Sequence, residues 1–233
     1  SLGLNTTGAG NTALGRLSLY NNTTAADNTA VGNSCLQANT TGASNIGVGT
    51  GALFANTEGA GNVAIGHLTL DANTTASNIT AVGYAALTAN TTGASNTAVG
   101  QGALQGNTTG ATNSALGNSA GVAITTGSNN CLLGTSAGSN ITTGGANIMI
   151  GFNTTVAAVG DVHEIVMGYA MVGKGASTGF ISPNSGPMYN GQNSTVWVAT
   201  SDRRIKKDIV PNTKGLAAIN QIEPKNFYYK SNE

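Results

Sequence analysis

With 233 residues, 8% charged and 39% hydrophobic side chains and no net formal charge, the chain is neither an ordinary globule, where about 25% of residues are charged, nor a disordered segment, where regularly placed aliphatic residues are rare. No stretch approaches 18 consecutive apolar residues, which excludes a membrane-spanning helix. The near-neutral body has no basic stripe for nucleic acid.

From the first residues onward one period dominates. Gly15, Gly32, Gly49, Gly66, Gly83, Gly100, Gly117, Gly134, Gly151 and Gly168 follow each other at 17 residues. Positions are counted below from this glycine. Position −1 is aliphatic or Met (Leu14, Val31, Val48, Ile65 and onward to Met167), and position −2 is small (Ala13, Ala30, Gly47, Ala64, Ala81, Ala98, Ala115). Asn recurs at −4, Leu at +4 from Leu19 to Leu104, and Asn-Thr-Thr-Gly begins at Asn5, Asn39, Asn90 and Asn107. Position +1 varies freely: Arg16, Asn33, Thr50, His67, Tyr84, Gln101.

The triplet before each glycine reads as a short strand and the Asn, Thr and Gly clusters as turns. A fixed period of this length is the signature of stacked supersecondary units. One unit cannot fold by itself: three buried side chains give roughly 6 kcal/mol, against about 17–34 kcal/mol for ordering 17 backbones. Coils must therefore stack into a parallel β-solenoid over residues 1–168. With side chains alternating along a strand, we expect −3 and −1 to fill the coil and the small −2 residue to face outward, against two further copies of the chain in a homotrimer. Left-handed β-roll coils and an interwoven triple β-helix both satisfy the pattern.

Residues 169–200 leave the period. Short strands at Phe180-Ile181 and Val196-Trp197-Val198 are expected there, forming a neck that closes the solenoid. Beyond residue 200 the chemistry changes. Residues 1–160 contain one basic side chain (Arg16) and three acidic ones (Asp27, Glu58, Asp71), whereas residues 201–233 contain seven basic and four acidic ones. A third segment, 201–233, begins here, and Asn212-Thr213 is placed to cap a short helix over Leu216 to Ile222.

The unit Asn-Thr-Ala-Val-Gly-x-x-Ala-Leu resembles the head repeats of trimeric autotransporter adhesins, with a longer turn than theirs, and similar repeats occur in bacteriophage tail fibres. Ser201-Asp202-Arg203-Arg204-Ile205-Lys206-Lys207-Asp208-Ile209, with Gly215-Leu216, Ile222-Glu223-Pro224 and Phe227-Tyr228-Tyr229, resembles the opening of the endosialidase-type intramolecular chaperone, of which 33 residues are a truncated part. These resemblances imply an all-β homotrimeric segment of a phage tail fibre or tail spike. It would be a virion component outside the cell that contacts other tail proteins and a host-surface glycan or protein. The alternatives are a bacterial surface adhesin and the non-catalytic stem of a polysaccharide-degrading spike. The resemblance also implies self-cleavage beside Ser201, with Ser201 as nucleophile and Lys206 as its base. A serine needs such a base, and like charge from Arg203, Arg204 and Lys207 lowers a lysine pKa.

No other enzyme chemistry is expected. The carboxylates Asp27, Glu58, Asp71, Asp161 and Glu164 lie coils apart, beyond the roughly 5–9.5 Å that glycoside cleavage needs. His67 and His163 have no second ligand at metal spacing, so neither metal nor cofactor is expected, and His67 reads as a surface residue. Cys35 and Cys131 sit six coils apart, roughly 29 Å, too far for a disulfide. Both read as buried small hydrophobes.

Overall fold

In the computed structural model the described residues are 1–182, together with the backbones of 188–190 and 198–199. Each clock glycine ends a short strand: β1 Thr12–Leu14, β2 Thr29–Val31, β3 Ile46–Val48, β4 Val63–Ile65, β5 Thr80–Val82, β6 Thr97–Val99, β7 Ser114–Leu116, β8 Cys131–Leu133, β9 Ile148–Ile150 and β10 Ile165–Gly168. Three more follow: β11 Gly179–Ser182, β12 Met188–Asn190 and β13 Val198–Ala199. They form one sheet in chain order, parallel from β1 to β11 and antiparallel over the last two pairings. Residue i pairs with residue i+17 of the same chain at every step from β1 to β10. Of the two architectures the sequence leaves open, the chain adopts stacked solenoid coils.

The clock is steric in origin. The ten glycines take φ between 121° and 147°, a region essentially closed to side chains. They also stack on one another: a Cβ at Gly83 would lie 2.5 Å from the Gly100 carbonyl oxygen and 2.6 Å from its carbon. Every coil therefore brings its backbone against the next at this point, and nothing larger than hydrogen fits.

The strand faces are the reverse of the expectation. Ala30, Ala64, Ala81 and Ala98 at −2 have no exposed surface, while Leu14, Ile46, Ile65, Leu116 and Leu133 at −3 and −1 are 40–67% exposed. The reason is the width of the coil. Its interior is already filled by Leu at +4 and a small residue at +3, all fully buried from Leu19 to Leu104. Only a methyl group or a hydrogen remains for the strand to add. Volumes trade accordingly: where Cys35 replaces Ala at +3, Gly47 replaces Ala at −2, and a Cβ there would sit 2.5 Å from the Cys35 sulfur. Where +4 becomes Gly121 and Gly138, Leu132 and Ile124 or Ile141 move into the space. Core composition changes while core volume is held.

Filling so narrow a coil strains the turn. Leu19, Leu36, Leu53, Leu70, Leu87 and Leu104 all adopt φ of 48–54°, at about 1–2 kcal/mol each for a left-handed residue. Burying each leucine returns about 1.5–3 kcal/mol. The left-handed turn is thus held by packing rather than by residue preference.

The asparagines form two internal amide ladders. In the first, Asn22, Asn39, Asn56, Asn73, Asn90 and Asn107 each donate Nδ2 to the Oδ1 of the asparagine one coil earlier, at 2.8–3.1 Å. In the second, the Oδ1 of Asn11, Asn28 and Asn45 accepts the backbone N–H of the residue 17 on, at 2.9 Å. The two meet at shared carbonyls: Gly59 O accepts Nδ2 of Asn56 at 2.9 Å and of Asn45 at 2.8 Å. Ile124 ends the first ladder and leaves Asn107 Oδ1 without a donor.

Ile79, whose N–H donates to Asn62 Oδ1 at 3.0 Å, interrupts the second ladder, which resumes at Asn96, and Glu164 ends it. The glutamate occupies the −4 position, fully buried, and its N–H donates to Asn147 Oδ1 at 2.9 Å. The next strand comes after 14 residues, since Ile165 pairs with Gly179. This shortened coil carries the N–H groups of Lys174 and Gly175 onto the carboxylate, the second at 2.8 Å, with a third from Ala157 at 3.3 Å. A buried carboxylate facing backbone donors closes the run of amides and marks where the 17-residue period stops.

Candidate interaction surfaces

Each coil presents three kinds of surface, and each follows from the positions above. The first is the outward strand face. Its −3 and −1 side chains make an uncharged aliphatic and Thr stripe from Thr12 and Leu14 to Ile148 and Ile150. The second is the Asn-Thr-Thr turn. There the first Thr of each pair donates its hydroxyl to the next coil, as Thr40 does to the Thr57 carbonyl at 3.0 Å. The second Thr is exposed in every coil except that of Glu58. From Asn22 to Asn107 the asparagines of this turn are buried in the ladders.

The third is the turn after the glycine, and here the repeat is free to vary. Three pairs of neighbouring +1 side chains contact each other along the stack. His67 lies on Tyr84 with ring centroids 5.6 Å apart and planes 7° apart. Asn118 Nδ2 donates to Gln101 Oε1 at 3.2 Å, and Phe152 stacks on Tyr169 at 5.1 Å. At +5, Thr88 donates to the Asp71 carboxylate at 2.6 Å. His67 is exposed, as its variable position implies.

Among the described residues no group of three or more His, Cys, Asp or Glu is placed to hold a metal ion, and no helix is long and apolar enough to cross a membrane. The cysteines differ from the expectation that both are buried. Cys35 is enclosed at +3, and burial pushes its thiol up to about 12. Cys131 is exposed, because its −3 position points outward. At pH 8 a thiol reagent should therefore modify one cysteine in the folded chain and two after unfolding, since only the thiolate attacks. Mass spectrometry of the labelled peptides checks this; equal labelling of Cys35 in the folded chain would contradict the packing.

Ser201, Lys206 and the helix expected over Leu216 to Ile222 lie outside the described residues, as do Val196 and Trp197. The chain divides into two units, Ser1–Thr200 and Ser201–Glu233. Residues 201–233 match the family described as chaperone of endosialidase. No curated protein and no solved structure matches the chain.

Proposed function

We propose that the chain is the homotrimeric shaft of a bacteriophage tail fibre or tail spike, built with the help of the chaperone segment that follows it. The observation that carries this reading is the match of residues 201–233 to the chaperone of endosialidase, in a chain whose solenoid coils leave an apolar strand face exposed. The resemblance of the repeat to trimeric adhesin heads supports the threefold state. Within the virion the shaft supplies reach and stiffness and presents a host-facing surface.

The strand face replaces the −2 alanines as the surface through which copies meet. Val48, Ile65, Leu116 and Leu133, exposed at 36–51%, belong to one stripe running along the sheet, whereas soluble monomers rarely leave a large contiguous apolar patch uncovered. Val48→Asp with Leu116→Asp should leave the circular dichroism of the coils intact and convert a trimer into monomers by light scattering. Cys131 lies on the same stripe, so a short bifunctional thiol reagent should join copies of the parent chain and not of the double variant. A parent chain that is monomeric at micromolar concentration would sink the assembly.

Self-cleavage belongs to the same reading. Ser201 Oγ would attack the carbonyl carbon of Thr200 as its hydroxyl proton passes to Lys206; the Thr200–Ser201 C–N bond then breaks, the leaving amine takes that proton, and water hydrolyses the resulting ester, releasing the chaperone after assembly. Full-length chain should appear as two fragments on a denaturing gel, and Ser201→Ala and Lys206→Ala should each leave it whole. Cutting that persists in Ser201→Ala removes the assignment.

A further inference from the structure

Resting on the reading of the chain as a host-facing shaft, we propose that the turn after each clock glycine is the receptor-binding face, and that its ligand is a neutral polysaccharide lying along the stack. The first support is where the aromatic side chains are. Among the described side chains, Tyr20, Phe54, Tyr84, Phe152 and Tyr169 are exposed at 39–70%, and all five are at +1 or +5; Phe180, the remaining one, is buried. The strand face and the Asn-Thr-Thr turn carry none. A repeat that is otherwise uniform has placed every exposed ring on one edge of its coils.

The second support is what lies between the rings. From the His67–Tyr84 pair to the Phe152–Tyr169 pair the +1 ladder runs through Gln101, Asn118 and Thr135, all exposed. Amides and a hydroxyl thus separate two aromatic platforms about 24 Å apart at roughly 4.8 Å per coil. A protein partner would favour one contiguous apolar centre. A glycan offers at each sugar an apolar C–H face and a set of hydroxyls, which suits a line of ring pairs with amides and a hydroxyl between them.

Charge selects the class. The +1 ladder has no Lys, Arg, Asp or Glu from Asn33 to Tyr169, and at +5 the Asp71 carboxylate already accepts the Thr88 hydroxyl. An anionic glycan or a nucleic acid strand would find no counter-charge there. Individual contacts on a convex edge are weak, and three copies in one fibre would combine them.

The test uses the full chain on an array of neutral and acidic oligosaccharides, beside two variants: Tyr84→Ala with Phe152→Ala and Tyr169→Ala, and Thr92→Ala with Thr109→Ala on the other turn. We expect retention on neutral glycans, a loss of at least tenfold in the aromatic variant, and no change in the threonine variant. Melting temperature and light scattering should be the same for all three. Retention on acidic glycans alone, no retention, or binding unchanged in the aromatic variant each overturns the proposal. A parent chain that binds neutral glycans through these rings but is monomeric would remove the trimeric shaft and leave this face standing.

Discussion

Replacing Gly83 by alanine should lower the melting temperature of the full chain by roughly 6–12 °C. The backbone at φ 132° is closed to a side chain, at about 1–3 kcal/mol. The added methyl also meets the Gly100 carbonyl at 2.5 Å, where only backbone could yield. About 3 kcal/mol in total corresponds to that temperature range for a chain of this size. Gly102→Ala provides the contrast. Gly102 has φ 62°, near the 52–57° that Leu17, Ser34, Leu68 and Ala85 adopt in the same position of other coils, and its nearest new contact is the Gln105 side chain at 3.4 Å. A left-handed alanine costs about 1–2 kcal/mol, partly offset by the lost freedom of the unfolded chain. A melt in which the two variants fall equally would show that stacking of the clock glycines is not what limits the repeat.

Asn73→Asp should be as damaging at neutral pH, for a different reason. Asn73 is fully buried. Its Nδ2 donates to Asn56 Oδ1 at 2.8 Å and to the Ala76 carbonyl at 3.0 Å, and its Oδ1 accepts from Asn90 at 3.1 Å. A carboxylate would face two acceptors in a dry interior. An unpaired buried charge costs about 3–5 kcal/mol. Burial raises the pKa of such an aspartate above its unfolded value of about 3.9. The loss is therefore full above the folded-state pKa and shrinks as pH falls through it, because the protonated acid can donate one hydrogen bond again. Denaturant unfolding at pH 7 and pH 4 should show the variant closer to the parent at the lower pH. A gap that does not narrow would mean that the ladder is not dry.

The period, the strand positions and the outward +1 residue were legible because each rests on one position taken alone. Ten glycines in register report a backbone constraint whatever surrounds them. Strand polarity was not legible, because a small residue is ambiguous. Ala98 satisfies a close approach from outside as well as a narrow interior, and only the leucine at +4 decides between them. That leucine adopts a left-handed turn that residue preferences disfavour, so its direction could not be read from propensity. The clue lay in paired departures: Gly47 beside Cys35, and Leu132 beside Gly121 and Gly138. The amide ladders had a similar signal in the recurrence of Asn at −4, broken at Ile79 and Glu164, and in Asn-Thr-Thr, where the asparagine side chain does bond its own turn, as Asn39 Nδ2 does to the Gly42 carbonyl at 2.9 Å. Its main work, bonding the coil before it, becomes visible only when coils are superposed.

The constant offset of 17 residues between paired positions has a consequence for how such a protein changes length. Among the coils that share leucine at +4 and asparagine at +7, from Leu19 to Asn107, removing or duplicating 17 consecutive residues returns the core leucine, the turn asparagine and threonine and the clock glycine to neighbours of the same kind. Glycine still meets glycine, and threonine still meets threonine. The length of the stack can therefore be adjusted in whole increments of one strand spacing, about 4.8 Å. The junction near Gly121 and the Glu164 terminus occur once each and are not interchangeable in this way. The molecule is graduated like a ruler, with its fixed mark at one end.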